Sequence, residues 1–275
     1  QRDELKEQQI ELRRQHHYIK ASVEYAHRLQ QSLLPEATEF GNWFESFVLY
    51  RPKDIVSGDF YWFAPPNKAH GALFMLADCT GHGVPGAFMS LVANQLLQEI
   101  VHHRSMNSPS SILAAMDKEI QGLIGSKNQG HNDGMDVSLC CVRKSDTGKL
   151  QLTFAGAKQD MVLFRQQAGT HNMVKGVRRS VGTNQHTRNA LHFENQHFDV
   201  APGDIIYLYT DGIIDQQNHQ RKRFGSPRLL ERLAEIHQKP LEEQHLALTH
   251  TLDTYQKGEP QRDDITVIGL KVKNF

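Results

Sequence analysis

The chain lacks any apolar run approaching the roughly 20 residues of a membrane-spanning helix, and its longest such stretch, Ala72 to Cys79, has the length of a strand. It also lacks net charge. Lys and Arg number 31 and Asp and Glu number 31, so no overall field attracts nucleic acid or an anionic membrane. Cysteine is scarce: Cys79, Cys140 and Cys141 include an adjacent pair and show no metal-type spacing, which leaves reduced, buried thiols of a cytosolic protein as their reading. The 16 histidines contain no HExxH pair. Gly182, Thr183 and Asn184 in SVGTNQ resemble a phosphate loop only superficially, because the spacing and the lysine of a P-loop are missing. No signal peptide is visible, and a chain that opens at Gln1 reads as a segment of something longer.

Residues 1–34 also lack glycine and proline, and they are rich in Glu, Gln, Arg and Lys. Leu5, Leu12, Ile19, Ala26 and Leu33 recur every seven residues, with Val23 and Leu29 widening the stripe. This predicts a helix with one apolar seam that ends at Pro35. The companion heptad position holds Gln8, Gln15 and Ser22, so the seam either pairs with a second copy and transmits a signal or packs on its own domain. The expected division is a linker or signalling helix over 1–34 and one large domain over 35–275.

Strand-length stretches then dominate: Phe44 to Tyr50, Phe60 to Ala64, Ala72 to Ala77, Val137 to Val142, Leu150 to Ala155, Met161 to Arg165, Leu191 to Val200, Ile205 to Tyr209 and Ile265 to Val272. Helical patterns interrupt them at Pro85 to His103, Pro109 to Ile124, Pro227 to His237 and Leu241 to Tyr255. Strands in blocks and helices in pairs predict an α+β fold of two sheets flanked by helices. The polar SKNQGHNDG (126–134) and the basic NHQRKR (218–223) read as loops. The basic run is either a solvated turn or a contact for an acidic or phosphorylated surface.

Against this background four acids stand out: Asp59 in SGDFYW, Asp78 in DCTGHG, Asp211 in YTDG and Asp263 in RDDITV. Each sits at a strand end or in a glycine-bearing turn, where an ordinary turn acid would also sit. If the fold brings them together from residue 59 to residue 263, their mutual repulsion calls for a hard divalent cation such as Mg2+ or Mn2+. Metal-assisted hydrolysis is the chemistry that follows. After Asp78, Gly81, Gly83 and Gly86 remove bulk and Pro85 starts a helix. His82 lies beside the site as either a proton donor or a support packed under the turn. Asp136 in NDGMDVSL is either a substrate contact or a capped turn acid.

These motifs, in order and wording, resemble the PPM family of metal-dependent protein phosphatases (protein phosphatase 2C-like), in its bacterial SpoIIE/RsbU-type branch. The matching text is SLLP at 32–35, LYRPKDIVSGDFYW at 49–62, ADCTGHGVPGAFMS at 77–90, GDIIYLYTDGIID at 203–215 and DDITVIGL at 263–270. The helix-plus-domain layout is most similar to SiaA-like receptor phosphatases. The resemblance implies two stacked antiparallel sheets flanked by helices, an αββα sandwich, with two Mn2+ or Mg2+ ions per site. It implies that Asp78 bridges both ions, that the Cys79 carbonyl and Asp59 hold one, and that Asp211 and Asp263 complete the other, with Asp264 the alternative to Asp263. The implied reaction is attack of a metal-bridging hydroxide on phosphoserine or phosphothreonine. The implied substrate is a phosphorylated STAS-type anti-sigma-factor antagonist, and the implied setting is the cytoplasmic output domain of a bacterial inner-membrane receptor with an upstream sensor. At the position where many members carry an acid for a third metal, this chain has Ala157 in FAGAKQD.

Two other classes compete: a catalytically silent PPM-fold module that binds or dimerises, and a two-metal nuclease or phosphodiesterase. The neutral charge balance and the lack of a basic patch argue against the nuclease and against a nucleic-acid partner.

Overall fold

In the computed structural model, which describes residues 2–67, 71–124, 133–145, 147–183 and 192–273, the most apolar strands are those covered on both faces. Residues 126–132 of the SKNQGHNDG loop, Asn184 and Leu191 lie outside the described residues. The strands are β1 (Phe44–Arg51), β2 (Asp59–Ala64), β3 (Ala72–Cys79), β4 (Met135–Lys144), β5 (Leu150–Ala157), β6 (Met161–Arg165), β7 (Thr170–Val174), β8 (Gln196–Val200), β9 (Ile205–Tyr209) and β10 (Ile265–Val272). They form two five-stranded antiparallel sheets, ordered β1-β10-β9-β6-β7 and β2-β3-β4-β5-β8.

In β3, Ala72, Phe74 and Leu76 face the core between the sheets, while Leu73, Met75 and Ala77 face a second core. That second core is closed by α3 (Val84–Gln98), its π-helical continuation Glu99–His103, and α4 (Pro109–Ile124). A third core packs Tyr207, Tyr209 and Val267 of the other sheet against α6 (Gly225–Ile236) and α7 (Leu241–Gln256). The result is the helix–sheet–sheet–helix sandwich expected from the strand and helix pattern. Burial on both faces explains why the strands read as unbroken apolar runs rather than alternating ones. Two further elements are short: α2 (Ala37–Phe40) and α5 (Asp211–Asp215).

The N-terminal helix α1 (Arg2–Leu33) is about 48 Å long at 1.5 Å per residue, and it stops two residues before Pro35. Residues 2–22 are exposed throughout, with Leu5 at 65%, Leu12 at 67% and Ile19 at 65% exposure. Only the last turns touch the domain. Tyr25, Ala26 and Leu29 border an apolar groove of about 230 Å3 with Val84, Phe88 and Leu91 of α3. There the buried Gln30 donates to the Ser57 carbonyl (2.6 Å) and the Ser90 hydroxyl (2.9 Å), and it accepts from the Ser57 N–H (3.1 Å). Among the described residues no helix is long and apolar enough to cross a membrane.

Three details near the acids depart from the sequence expectations, and elsewhere β7 is an unforeseen edge strand and β8 begins only at Gln196, leaving 192–195 outside it. β3 runs through Asp78 and Cys79 instead of ending at Ala77. Asp211 opens the helical turn α5 instead of a loop. Asp136, read as a turn acid or a substrate contact, lies inside β4 rather than in a turn. The basic run 218–223 is a tight turn: Gln217 and Arg223 form a bridge, Asn218 N–H donates to the Lys222 carbonyl (3.1 Å), and Arg223 pairs with Asp215 (2.9 Å).

Candidate metal centre

The antiparallel registers decide where the acids go. Asp59 on β2 stands opposite Asp78 on β3, and Asp78 stands opposite Asp136 on β4. Three carboxylate residues therefore form a row across adjacent strands at one end of a sheet, where direct neighbours are about 4.5–5.5 Å apart. The other sheet brings its acids to the same place. β9 ends just before Thr210 and Asp211, and β10 begins just after Asp263 and Asp264. The hydroxyls of Thr210 (2.8 Å) and Thr266 (2.6 Å) both donate to Oδ2 of Asp59, joining the two sheet ends.

The sequence reading places the ligand at Asp263 with Asp264 as the alternative, and the two differ in their hydrogen bonds. Both oxygens of the buried Asp264 accept main-chain N–H groups, from Lys53 (2.7 Å) and Gly58 (2.7 Å). It therefore shapes the loop leading into Asp59. Asp263 is exposed, and its carboxylate accepts the N–H of Asp264 (2.9 Å). Gly58 and Gly86 close the glycine turn tightly. A Cβ on Gly58 would stand 2.7 Å from the Gly81 carbonyl oxygen, and one on Gly86 would collide with the same oxygen, so only glycine lets the turn lie flat against the start of β2.

Electrostatically the cluster is strained. Burial, followed by the charge of Asp59 and then of Asp211, Asp263 and Asp136, pushes Asp78 up to about 10. Asp59, 1% exposed, is pushed up to about 8, by burial first and by Asp264 and Asp263 against the two threonine bonds. Asp211 is raised by burial and by Asp263, Asp215 and Asp136, partly offset by a hydrogen bond with Asp78. Meanwhile Oδ1 of Asp59 is buried with no hydrogen-bond partner, a state that is costly for a polar atom.

A divalent cation fits this donor set. It would satisfy the orphaned oxygen and relieve the repulsion in one stroke. Among the described residues no three Asp, Glu, His or Cys side chains stand close enough together to hold a metal ion by themselves. Mg2+-type ions take one or two carboxylates and keep several waters, so a divided set of acids suits them better than a closed shell.

Cys79 cannot contribute a thiolate: its side chain is buried in the core beneath α3, and burial raises its pKa well above the ordinary thiol value. Its main-chain carbonyl remains as a donor. Cys140 and Cys141 are likewise free and buried, as their sequence context suggested. His82 does not pack under the turn. It is half exposed, with Nδ1 2.8 Å from Oδ2 of Asp54. The N–H of Gly182 is taken by Asp117 (2.7 Å), which removes it from any phosphate loop. A cavity of about 520 Å3 lies elsewhere, between the basic turn and the two helices α6 and α7, near Phe224, Arg228 and Tyr255. It holds none of the four acids.

Asp136 is the residue that sequence reasoning undervalued. Its signal was present, since a lone acid inside MDVSLCCV marks a polar position on an otherwise apolar strand. Its Oδ1 accepts the Ser180 hydroxyl at 2.5 Å, and its Oδ2 lies 3.6 Å from the ammonium of Lys158.

The sequence model of the stage II sporulation protein E (SpoIIE) family matches residues 68–273. Among solved structures, the SiaA PP2C domain of Pseudomonas aeruginosa superposes with a TM-score of 0.80 at 31% identity, covering 94% of this chain and 98% of that one. The RsbU and RsbW domains of a Mycobacterium tuberculosis protein give 0.62 at 18% identity, covering 84% and 60%. The catalytic domain of the serine/threonine phosphatase PstP in complex with two manganese ions gives 0.54 at 14%, covering 84% and 99%. No curated protein matches the chain by sequence.

Proposed function

The chain belongs to the SpoIIE family and is a PP2C-type protein serine/threonine phosphatase, and from that premise we propose that it removes phosphate from phosphoserine or phosphothreonine on a small STAS-type regulatory protein. One observation carries the reading. Asp59, Asp78 and Asp136 form a row on one sheet, facing Asp211 and Asp263 from the other, around a buried carboxylate oxygen with no partner.

In this proposal Asp78, Asp59, the Cys79 carbonyl, Asp211 and Asp263 would hold the Mn2+ or Mg2+ ions, with Asp78 central to the set. When bound, such ions supply an acidified water as nucleophile and neutralise the phosphoryl oxygens. The protein's part is positioning. Thr210 and Thr266 lock Asp59 in one orientation. Asp264 fixes the loop before it, and the rigid strand β3 presents Asp78 at the centre of the cluster. No thiolate is offered, because all three cysteines are buried with raised pKa values, so a cysteinyl-phosphate intermediate has no nucleophile here.

The test is phosphate release from a phosphorylated STAS protein with and without EDTA. Chelation is expected to lower the rate at least about 100-fold. Full activity in EDTA would remove the metal-dependent reading.

The exposed seam of α1 supports a second role, as the pairing and signal-bearing helix of a receptor's output domain. Leu5, Leu12 and Ile19 on this seam are each about two-thirds exposed, an apolar stripe of the kind that marks an interaction face. Light scattering is expected to give a dimer for the whole chain and a monomer for a chain starting at Ala26, which keeps the Gln30 anchor. Equal masses would eliminate the pairing.

A further inference from the structure

The acids of the cluster cannot themselves attract a phosphorylated substrate, so a cation at its rim adds to whatever bound ions would supply. Lys158 stands there, with its ammonium 3.6 Å from Oδ2 of Asp136. Its placement is unusual. Lys158 follows the end of β5 with φ of 59°, one of four non-glycine residues with a positive φ among those described. Lysine is not a residue that favours this left-handed conformation, and such outliers gather where a side chain has to be aimed.

The backbone leaves little freedom. Lys158 N–H donates to the Val177 carbonyl (2.7 Å), and the residue forms a bridge with Val137 on β4, next to Asp136. Its neighbour Ala157 is buried, whereas the Lys158 side chain keeps 54% of its surface exposed. The ammonium is therefore tethered at one side to the acid row and open at the other to whatever approaches it. Asp136 is itself held by the Ser180 hydroxyl, which fixes the direction of the tether.

Resting on the phosphatase reading above, we propose that Lys158 is a substrate-binding cation that engages the phosphoryl group of the phosphoprotein at the rim of the acid cluster, with Asp136 and Ser180 as the residues that position it. A compact ammonium on a flexible stem suits this role, since it can leave Asp136 and meet a phosphoryl oxygen without a fixed bidentate geometry. Asp136 alone cannot hold it tightly, because an ion pair that is half exposed is weak.

The test compares the whole chain with Lys158→Met, Lys158→Arg and Lys175→Met. The last removes another exposed lysine, paired to Asp160 (2.6 Å) rather than to Asp136. Two readouts are used with Mn2+ present: steady-state kinetics on a phosphopeptide, and the affinity of inorganic phosphate followed by calorimetry. Lys158→Met is expected to raise KM and to weaken phosphate binding, each about tenfold, with kcat changed less than about threefold. Lys158→Arg should restore most of both, and Lys175→Met should change neither. Phosphate affinity unchanged in Lys158→Met would overturn the assignment. So would a loss that Asp136→Asn cancels in the double variant, because that pattern marks a lysine that only neutralises its neighbour. The calorimetric arm needs no turnover. A wild-type chain that binds phosphate through Lys158 yet hydrolyses no phosphopeptide would sink the phosphatase reading and leave this one standing.

Discussion

Replacing Asp78 with asparagine is expected to cut phosphate release by roughly 10³-fold and, in the metal-free protein, to raise the melting temperature at neutral pH. Both effects come from the same place. Asp78 stands between Asp59 and Asp136 in register and shares a hydrogen bond with Asp211, so it touches every part of the cluster. Removing it takes away the carboxylate central to the proposed ligand set. It also removes the carboxyl whose pKa burial and four neighbouring acids push up to about 10. A carboxyl whose folded pKa lies above its unfolded value contributes stability at low pH and loses it as pH rises. The wild-type protein and the Asp78→Asn variant should therefore melt alike near pH 4 and diverge in favour of the variant as pH climbs toward 9. Activity within tenfold of wild type, or a melting difference that shrinks with rising pH, would contradict this account of the site.

The second large effect is that of Mn2+ itself. Without metal, the protein should lose stability steadily between about pH 4 and the raised values of Asp59, about 8, and Asp78, about 10. Mn2+ at about 100 times its Kd should add roughly 2.7 kcal/mol, which for a domain of this size is a rise of about 5–10 °C in melting temperature. Because burial and the neighbouring acids raise both carboxyls in the metal-free state, binding should release protons near pH 7. Calorimetry in buffers of different ionisation enthalpy measures their number directly. A silent binding module would show neither the stabilisation nor the proton release.

Much of this was legible in the chain. Strands covered on both faces, such as β3 and β9, announce themselves as apolar runs, and the four acids lie at strand ends. The N-terminal helix shows itself by its heptad spacing and by Pro35. What stayed hidden was pairing. β7, THNMV, lies at a sheet edge with most of its residues exposed and carries no apolar pattern. Asp136 looked like a turn acid because its importance comes from the strand opposite it, which no local window contains. Asp263 and Asp264 are adjacent and chemically identical, and only the N–H groups of Lys53 and Gly58 set them apart. Asp211 read as a strand-end turn because a five-residue helix is too short to leave a period.

The grip of Asp264 on Lys53 and Gly58 spans more than two hundred positions of sequence. β10, the last strand in chain order, also lies between β1 and β9 in its sheet. The loop that presents Asp59 therefore gains these two hydrogen bonds only when the far end of the domain has folded against it. A metal site that depends on Asp59 would be complete only once β10 has taken its place between β1 and β9.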